Sequence, residues 1–227
     1  MGPTGSLEMD RPFDSAAYRP FKWAVEPICS AAFGDEAVVP VRLGFAVLSA
    51  EQLNSRCLRL FDAEEGAAEG RAALIPLPPD PLFKRQGLVL CRVRAAALRR
   101  TPAGCRGNWH RFQIQLVGAE LDWIERWARV LIDHTATRKV AGSPMLSISS
   151  IRLRLASVLQ RQAPLKRMVE LGPLAGEAAS FAVRELHAMS DALIKTTGAR
   201  AMLQHGLVEM QHVFRIVNQV YLERGHA

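Results

Sequence analysis

The residues that decide the fold read LVGAELDWIERWARVL and run from Leu116 to Leu131. The large apolar residues of this stretch recur at steps of one, three or four positions: Leu116, Val117, Leu121, Ile124, Trp127 and Leu131. This spacing places apolar side chains on one face of an α-helix. We therefore predict a long amphipathic helix, and we interpret the stripe, including its tryptophans, as core packing.

Three further segments carry helical periodicity after this helix, which is expected to end near Lys139 because glycine and proline follow. The predicted helices cover about 147–161, 176–196 and 207–223. The residues expected to face inward on the first of these are Ile148, Ile151, Leu155, Val158 and Leu159. Pro164 is expected to interrupt or kink this helix. Four long helices with short connections predict an antiparallel bundle over residues 108–227.

The part of the chain before the bundle has a different composition, rich in proline and glycine. Its strand-like runs are 37–46, 71–76 and 87–95, and loops are expected at 62–70 and 76–81. A short helix is expected within 48–60, beginning at Ser49. The sequence thus predicts an α+β fold in which a small β-rich part, residues 9–107, precedes the bundle. Residues 1–8 are interpreted as a cloning remnant.

The charge and cysteine content limit the classes of partner. The formal net charge is +7 and the pI is about 9.7, which favours anionic partners. The arginines are spread out, without a basic stripe interleaved with aromatic residues, so we expect no nucleic-acid partner. The four cysteines are not clustered as a zinc site requires, so we expect no metal and interpret Cys29, Cys57, Cys91 and Cys105 as free thiols.

No stretch of the chain reaches about 18 consecutive apolar residues, and the N-terminus lacks a basic segment followed by an apolar one. We therefore expect no membrane association and a cytoplasmic location.

The connection between the first two bundle helices carries a recognisable motif. The residues Arg138-Lys139-Val140-Ala141-Gly142-Ser143-Pro144-Met145 resemble the signature Arg-x-x-Phe-Gly-x-Pro-Leu of the acyl-CoA dehydrogenase family. The next residues stay in register without a gap, and Thr197-Gly198-Ala199-Arg200 resembles the family's Gly-Gly-x-Gly turn. The resemblance covers about 110 residues, from Leu116 to the end. It implies that 108–227 is the C-terminal four-helix bundle of this family and that 9–107 is a shortened middle β-domain.

The resemblance implies FAD as the cofactor. Arg138 occupies the position that reaches the flavin dinucleotide of a neighbouring subunit, and the planar guanidinium matches phosphate oxygens. Gly142 permits the tight turn beside it, and Ser149 stands where the family has a glutamine that bonds the dinucleotide. Without the resemblance, Arg138 is a helix C-terminal arginine that offsets the helix dipole. Ala141 and Ile148 replace two phenylalanines of the family pattern, so we expect FAD to be held weakly or lost.

The resemblance also implies a glutamate that removes the α-proton of an acyl thioester. The residues Tyr221-Leu222-Glu223-Arg224-Gly225 approach the family's Ile-Tyr-Glu-Gly sequence, displaced by about two positions, which makes Glu223 the candidate catalytic base. Some relatives place the glutamate at the start of the first bundle helix, a position that corresponds to His110 before Arg111 in this chain.

Three interpretations of function follow. The first is an FAD-dependent oxidoreductase that oxidises the α,β-bond of an acyl-CoA or other acyl thioester. The second is a non-catalytic or degenerate subunit that assembles with a full-length dehydrogenase. The third is an unrelated bundle with a chance match. The family's habit of sharing the flavin site between subunits predicts a homo-oligomer, or a hetero-oligomer with a related dehydrogenase. The chain is also shorter than a family member with an N-terminal helical domain, a β-domain and a bundle.

Overall fold

The computed structural model describes residues 25–35, 37–62, 66–98, 106–174, 176–198 and 206–223. It has an α+β fold in which short strands precede a helical bundle, so the predicted fold class is confirmed. The elements of the first part are α1 (Val25–Phe33), β1 (Val38–Val41), β2 (Phe45–Ser49), α2 (Ala50–Asn54), β3 (Arg59–Asp62), β4 (Gly66–Glu69), β5 (Leu74–Pro76), α3 (Pro81–Arg85) and β6 (Leu88–Val93).

The strands form two small sheets. In the first sheet β3 lies between β1, to which it is parallel, and β4, to which it is antiparallel. In the second sheet β6 lies between β2 and β5 and is antiparallel to both. The strand-like run at 87–95 is confirmed in position as β6. The run at 37–46 forms β1 and the start of β2 with a turn between them, and only the last residues of 71–76 form a strand.

Two expectations for the first part were wrong. The loop expected at 62–70 contains β4, whose small residues pair with β3 through the backbone and therefore give no apolar pattern. The helix expected within 48–60 is only α2. Its N-cap is Ser49, as expected, and the side chains of Ser49 and Gln52 form a capping box. It ends at Asn54, and Leu60 is buried on a strand instead.

The second part is a bundle of four long helices with a small hairpin. Its elements are α4 (Arg106–Thr137), β7 (Lys139–Val140), β8 (Ser143–Pro144), α5 (Ser149–Leu171), α6 (Glu177–Thr197) and α7 (Leu207–Tyr221). Helix α5 packs against α4 and α6, and α6 also packs against α4 and α7. The whole predicted stripe of α4 is buried, from Leu116 to Leu131.

Helix α5 departs from the prediction in two ways. It continues through Pro164 to Leu171, because this proline is exposed on the outer side, where the lost backbone hydrogen bond does not disturb the core. Leu159 and Ile148 do not face inward and are 48% and 39% exposed. The buried face instead consists of Ile151, Leu155, Val158, Gln162 and Leu165. Leu159 follows Val158 directly in the sequence and therefore lies beside this face, not on it.

One hydrophobic cluster joins the two parts. It contains α1 residues, single residues of the strands such as Val47 and Phe61, and the core of all four bundle helices. A second, smaller cluster lies within the strands alone. The division of the chain into domains at residues 8 and 107 stays a prediction.

None of the helices in the described ranges is long and apolar enough to cross a membrane. Within the same ranges, no three or more His, Cys, Asp or Glu side chains are grouped so that they could hold a metal ion. Cys29 and Cys91 are buried free thiols and Cys57 is an exposed one, while Cys105 lies outside the described residues.

Candidate functional site

The signature residues form an exposed hairpin at one end of the bundle. Arg138 follows the last residue of α4, and its carbonyl accepts a hydrogen bond from the Met145 backbone N–H at 2.7 Å. The turn consists of Ala141 and Gly142, whose φ angles are 50° and 82°. Glycine adopts such an angle without strain, whereas alanine pays on the order of 1 kcal/mol. The backbone angle therefore accounts for Gly142, and an added Cβ would meet no described atom within 4 Å.

The side chains of this hairpin point to solvent. Arg138 and Lys139 are both exposed and form no ion pair with any residue that the structure describes. Ser149, also exposed, is the first residue of α5, so Arg138, Gly142 and Ser149 belong to one short segment. This segment offers cationic side chains on a fixed turn, which suits a phosphate group supplied from outside the chain.

The Tyr221–Glu223 segment lies against the strands. The Tyr221 ring is buried, and its hydroxyl accepts a hydrogen bond from the Val47 backbone N–H at 2.7 Å and donates to the Pro40 carbonyl at 3.1 Å. Its own carbonyl accepts from the side chains of Arg42 and Gln113. Tyr221 therefore links the last helix to the strands, and it holds the backbone next to the candidate base Glu223.

Glu223 is half-buried and lies in a group of charged side chains between α6 and α7. Burial lowers the pKa of His187, the Arg215 guanidinium lowers it further, and the carboxylates of Glu223 and Asp191 act in the opposite direction. The Nε2 atom of His187 is buried and has no hydrogen-bond partner among the described residues. His187 was not predicted from the sequence; its one-turn spacing from Asp191 was the available signal.

His110, the alternative position for the base, lies at the same end of the bundle. Its neighbour Trp109 contacts the Tyr221 ring with 6.1 Å between ring centroids. The Nδ1 atom of His110 is buried and finds no partner among the described residues. Two unpartnered imidazole nitrogens and one carboxylate thus lie around the C-terminal end of α7.

The two candidate regions are far apart within one chain. Gln113, near the start of α4, donates to the Tyr221 carbonyl at 3.0 Å, whereas Arg138 follows the other end of the same helix. At about 1.5 Å per residue, the helix between Gln113 and Thr137 is roughly 36 Å long. The structure therefore brings Arg138, Gly142 and Ser149 together and leaves Glu223 at the opposite end.

A buried polar pair lies between these two ends. Glu120 of α4 and Asn218 of α7 are both fully buried, and the Asn218 amide donates to Oε2 of Glu120 at 3.0 Å. Burial raises the pKa of Glu120 to about 8, and the hydrogen bond from Asn218 acts against this rise. Glu120 is thus held mainly as the neutral acid at neutral pH. This pair was not predicted from the sequence, because apolar residues alone define the periodicity of a helical stripe.

The strand-rich part carries an open groove of about 520 Å³ lined by Asp35, Ala37, Arg56, Cys57, Leu58, Arg59, Glu69 and Gly70. Asp35 and Arg59 form an ion pair across it. None of the residues proposed from the sequence lines this groove, so it is separate from both ends of the bundle.

No protein-family model and no curated protein matches the chain. Solved structures do match its fold. Butyryl-CoA dehydrogenase from Megasphaera elsdenii aligns with a TM-score of 0.55 and 13% identity over 84% of this chain and 61% of that chain. A glutaryl-CoA dehydrogenase from Mycobacterium smegmatis, in complex with FADH2, aligns with a TM-score of 0.53 and 11% identity over 83% and 60%.

A third similar structure is FkbI, for biosynthesis of the methoxymalonyl extender unit of the FK520 polyketide, with a TM-score of 0.55 and 10% identity over 81% of this chain and 61% of that chain. The chain spans about three fifths of the length of these proteins. At such low identity the likeness concerns the fold. Over its aligned residues, the chain has the fold of the acyl-CoA dehydrogenase family.

Proposed function

We propose that this chain contributes to an acyl-CoA dehydrogenase-type flavoprotein in which two chains complete each flavin site. One observation carries the proposal: Arg138 and the candidate base Glu223 lie at opposite ends of α4, roughly 36 Å apart at about 1.5 Å per residue. A single chain cannot apply both residues to one ligand. Two chains can do so if the hairpin of one chain lies at the Glu223 end of its neighbour.

The donors of the hairpin fit the phosphate end of a flavin dinucleotide. Arg138 and Lys139 are exposed cations beside a turn of fixed shape, and Ser149 adds a hydroxyl at the first turn of α5. Arginine binds phosphate oxygens through parallel hydrogen bonds, and a helix N-terminus also favours anions. These residues would hold the dinucleotide by its charge.

Side chains that would pack against the rest of the dinucleotide are missing from this segment. Ala141 and Ile148 stand where the resembling family has phenylalanines, and Ser149 is shorter than glutamine. Two or three lost contacts of about 1 kcal/mol each correspond to a loss of roughly 10- to 100-fold in affinity. We therefore expect FAD to bind weakly, or to be lost during purification, when the chain is made alone.

In the proposed reaction, a flavin held through Arg138 would supply the acceptor for the hydride that leaves the β-carbon of an acyl thioester. Glu223 removes the α-proton, and the two electrons of that C–H bond form the α,β-double bond. The half-buried carboxylate of Glu223 lies near His187 and Arg215. Tyr221 fixes the backbone next to it.

A second candidate function is a non-catalytic subunit that completes the flavin site of a related dehydrogenase. The substituted hairpin favours this role, since the chain keeps the phosphate-binding end and lacks the packing residues. In that case the chain supplies Arg138 to a partner that has the ring-binding strands, and the Glu223 end is not used.

Titration with FAD, followed by absorption and fluorescence, tests the proposal. We expect micromolar binding by the unmodified chain and none by Arg138→Ala. Arg129→Ala is the matched control, because Arg129 is an exposed arginine of α4 that, among the described residues, pairs with Glu125 on its own helix. Its substitution should leave binding unchanged.

Three outcomes decide between the candidates. Binding unaffected by Arg138→Ala would contradict the role of the hairpin. Absence of binding by the chain alone, with binding restored on adding a related dehydrogenase, would favour the subunit role. Tight stoichiometric binding would show that the substitutions at Ala141, Ile148 and Ser149 are compensated.

A further inference from the structure

One face of the second sheet, formed by β2, β6 and β5, is covered by the bundle over only part of its length. Successive side chains of a strand point to opposite faces, and directly paired residues share a face. Val47 and Leu90 are paired, and both pack into the cluster shared with the bundle. The next row on this face consists of Phe45, Arg92 and Ile75, paired across the three strands. Arg92 is exposed and Ile75 is 41% exposed, so the covering ends between these two rows.

Apolar and cationic side chains are combined in the uncovered row and in the turn beside it. Phe45 is half-buried, and Leu43, in the turn that leads into β2, is 56% exposed. Arg94 is exposed two residues after Arg92, and its backbone N–H still bonds to the Ala73 carbonyl at 2.9 Å. Alternation therefore places both guanidinium groups on the same side of the sheet. We call the following residues the sheet patch: Leu43, Phe45, Ile75, Arg92 and Arg94.

The two arginines of the sheet patch have no partners within the chain. Neither forms an ion pair or a side-chain hydrogen bond with any residue that the structure describes. Strands β2, β5 and β6 carry no acidic residue. Two positive charges flanked by apolar side chains favour an acidic partner that also has exposed apolar residues. The formal net charge of +7 attracts such a partner at longer range.

The sheet patch borders the end of the bundle that carries the candidate base. The Tyr221 hydroxyl accepts a hydrogen bond from the backbone N–H of Val47, one row away from Phe45. The side chain of Arg42, at the start of the turn before β2, donates to the Tyr221 carbonyl. Glu223 lies two residues after Tyr221. A partner on the sheet patch is therefore next to the end of α7 at which the proposed reaction takes place.

Two kinds of carrier present an acyl thioester to an enzyme. One is coenzyme A, and the other is an acidic helical carrier protein whose phosphopantetheine arm bears the thioester. Both carriers are anionic, so the shape of the surface has to separate them. A small ligand binds in a concave pocket that buries most of its surface. The sheet patch is an exposed strand face, and none of its residues lines the open groove described above. Weak, transient protein contacts use small surfaces of this kind, so the sheet patch favours the protein.

We propose that the sheet patch is the docking surface of an acidic carrier protein, and that the chain receives its substrate as an acyl thioester on the phosphopantetheine arm of this carrier. Arg92 and Arg94 pair with carboxylates of the carrier, while Leu43 and Ile75 contact its apolar side chains. The arm then extends along the sheet towards Glu223. The docking requires neither flavin nor turnover, whereas the role of the thioester as substrate rests on the function proposed above.

Binding of a fluorescently labelled holo acyl carrier protein to the full chain, followed by anisotropy, tests the docking. We expect a Kd on the order of tens of micromolar at low salt, which sodium chloride weakens. Arg92→Glu and Arg94→Glu should each weaken binding at least tenfold, because each replaces an attraction by a repulsion.

Arg152→Glu is the matched control for these two variants. Arg152 is an exposed arginine of α5 that forms no ion pair with any described residue, so its substitution changes the net charge by the same amount. Binding should change by less than about twofold, because this charge lies away from the sheet patch.

Two further variants test the chemistry of the patch. Arg92→Lys keeps the charge and should bind within about threefold of the unmodified chain. Ile75→Ser removes apolar contact area and should weaken binding about threefold. Circular dichroism of every variant verifies the fold, which these exposed positions should leave intact.

Turnover of two hexanoyl thioesters separates the carriers. With flavin and a dye as electron acceptor, Arg92→Glu should lower kcat/KM for the hexanoyl carrier protein at least tenfold relative to that for hexanoyl-CoA. An unchanged ratio of the two values would overturn the carrier-bound substrate, and a loss confined to hexanoyl-CoA would assign Arg92 to the phosphates of coenzyme A.

The binding arm decides the docking whatever the turnover shows. No binding by the unmodified chain at hundreds of micromolar would overturn it, and would leave the sheet patch to a second copy of the chain or to another part of the same chain. Equal weakening by Arg92→Glu and Arg152→Glu would also overturn it, since net charge alone would then account for the binding. A chain that binds the carrier but shows neither flavin binding nor turnover contradicts the proposed function and leaves the docking intact.

Discussion

At the scale of single residues, the pair of Glu120 and Asn218 shows how a carboxyl group is accommodated in a helical core. Oε1 of Glu120 and Oδ1 of Asn218 are buried and find no partner among the described residues. A protonated carboxyl has one O–H to donate, whereas a carboxylate has none. The neutral acid can therefore satisfy the second acceptor of the pair after a small rotation, and the charged form cannot.

This environment predicts a pH-dependent stability. The pKa of Glu120 is raised from 4.5 to about 8 in the folded chain, so between these values the folded state holds a proton that the unfolded state releases. The contribution is fully present below the unfolded pKa and is lost as pH rises towards the folded pKa, at up to about 1.4 kcal/mol per pH unit. Urea unfolding at pH 5.5 and 7.5 should show this loss. Glu120→Gln, which mimics the neutral acid, should remove this part of the pH dependence; an unchanged slope would contradict it.

At the scale of elements, periodicity predicts a helix well where one face is apolar and continuous. The buried side of α4 follows this rule from Leu116 to Leu131. Helix α5 has apolar residues on two sides, so the sequence could not separate the buried Val158 from the exposed Leu159. Strand β4 was missed because its small residues give no apolar pattern, although its partner β3 directly precedes it in the chain. The residues of the candidate site differ in the same respect. Arg138 and its neighbours could be predicted because they form a local motif, whereas His187 could not, because contacts between helices bring it into position.

The two sides of α5 can be compared directly. Leu155 is 3% exposed and Leu159 is 48% exposed on the same helix. Leu155→Ala should lower the free energy of unfolding by about 2–5 kcal/mol, because it leaves a cavity among α4, α5 and α6. Leu159→Ala should change it by less than about 0.5 kcal/mol. Urea titration followed by circular dichroism measures both, and comparable losses for the two variants would contradict this packing of α5.

At the scale of the whole molecule, the strands and the bundle share a core. Val47, Phe61, Phe83 and Leu88 belong to the same cluster as the bundle residues. On the bundle side, α7 also contacts α3, where the buried Glu209 accepts a hydrogen bond from the Gln86 side chain at 2.7 Å. The composition change near residue 107 indicated two parts, but the sequence could not reveal the hydrophobic cluster that joins them.

We therefore expect the described parts to unfold as one cooperative unit. Cys91, fully buried on β6, reports on the strands through its reaction with a thiol reagent, after Cys57 and Cys105 are replaced by serine and the buried Cys29 of α1 by alanine. The tryptophans of α4 report on the bundle by fluorescence. Both probes should give the same urea midpoint. Reaction of Cys91 at clearly lower urea than the fluorescence change would show that the strands open separately from the bundle.

The hydrogen bonds between Tyr221 and the strands also have a consequence for biosynthesis. The hydroxyl of Tyr221 bonds to Val47, which lies 174 residues earlier in the chain, so the contact closes a very long loop. Chains dominated by such distant contacts fold slowly, because the entropy of loop closure is lost before the contacts form. On the ribosome, the strands emerge long before α7, and part of the covering of their apolar faces is absent until the last helix is made. The nascent strands would then depend on chaperones for protection until the ribosome has passed Tyr221.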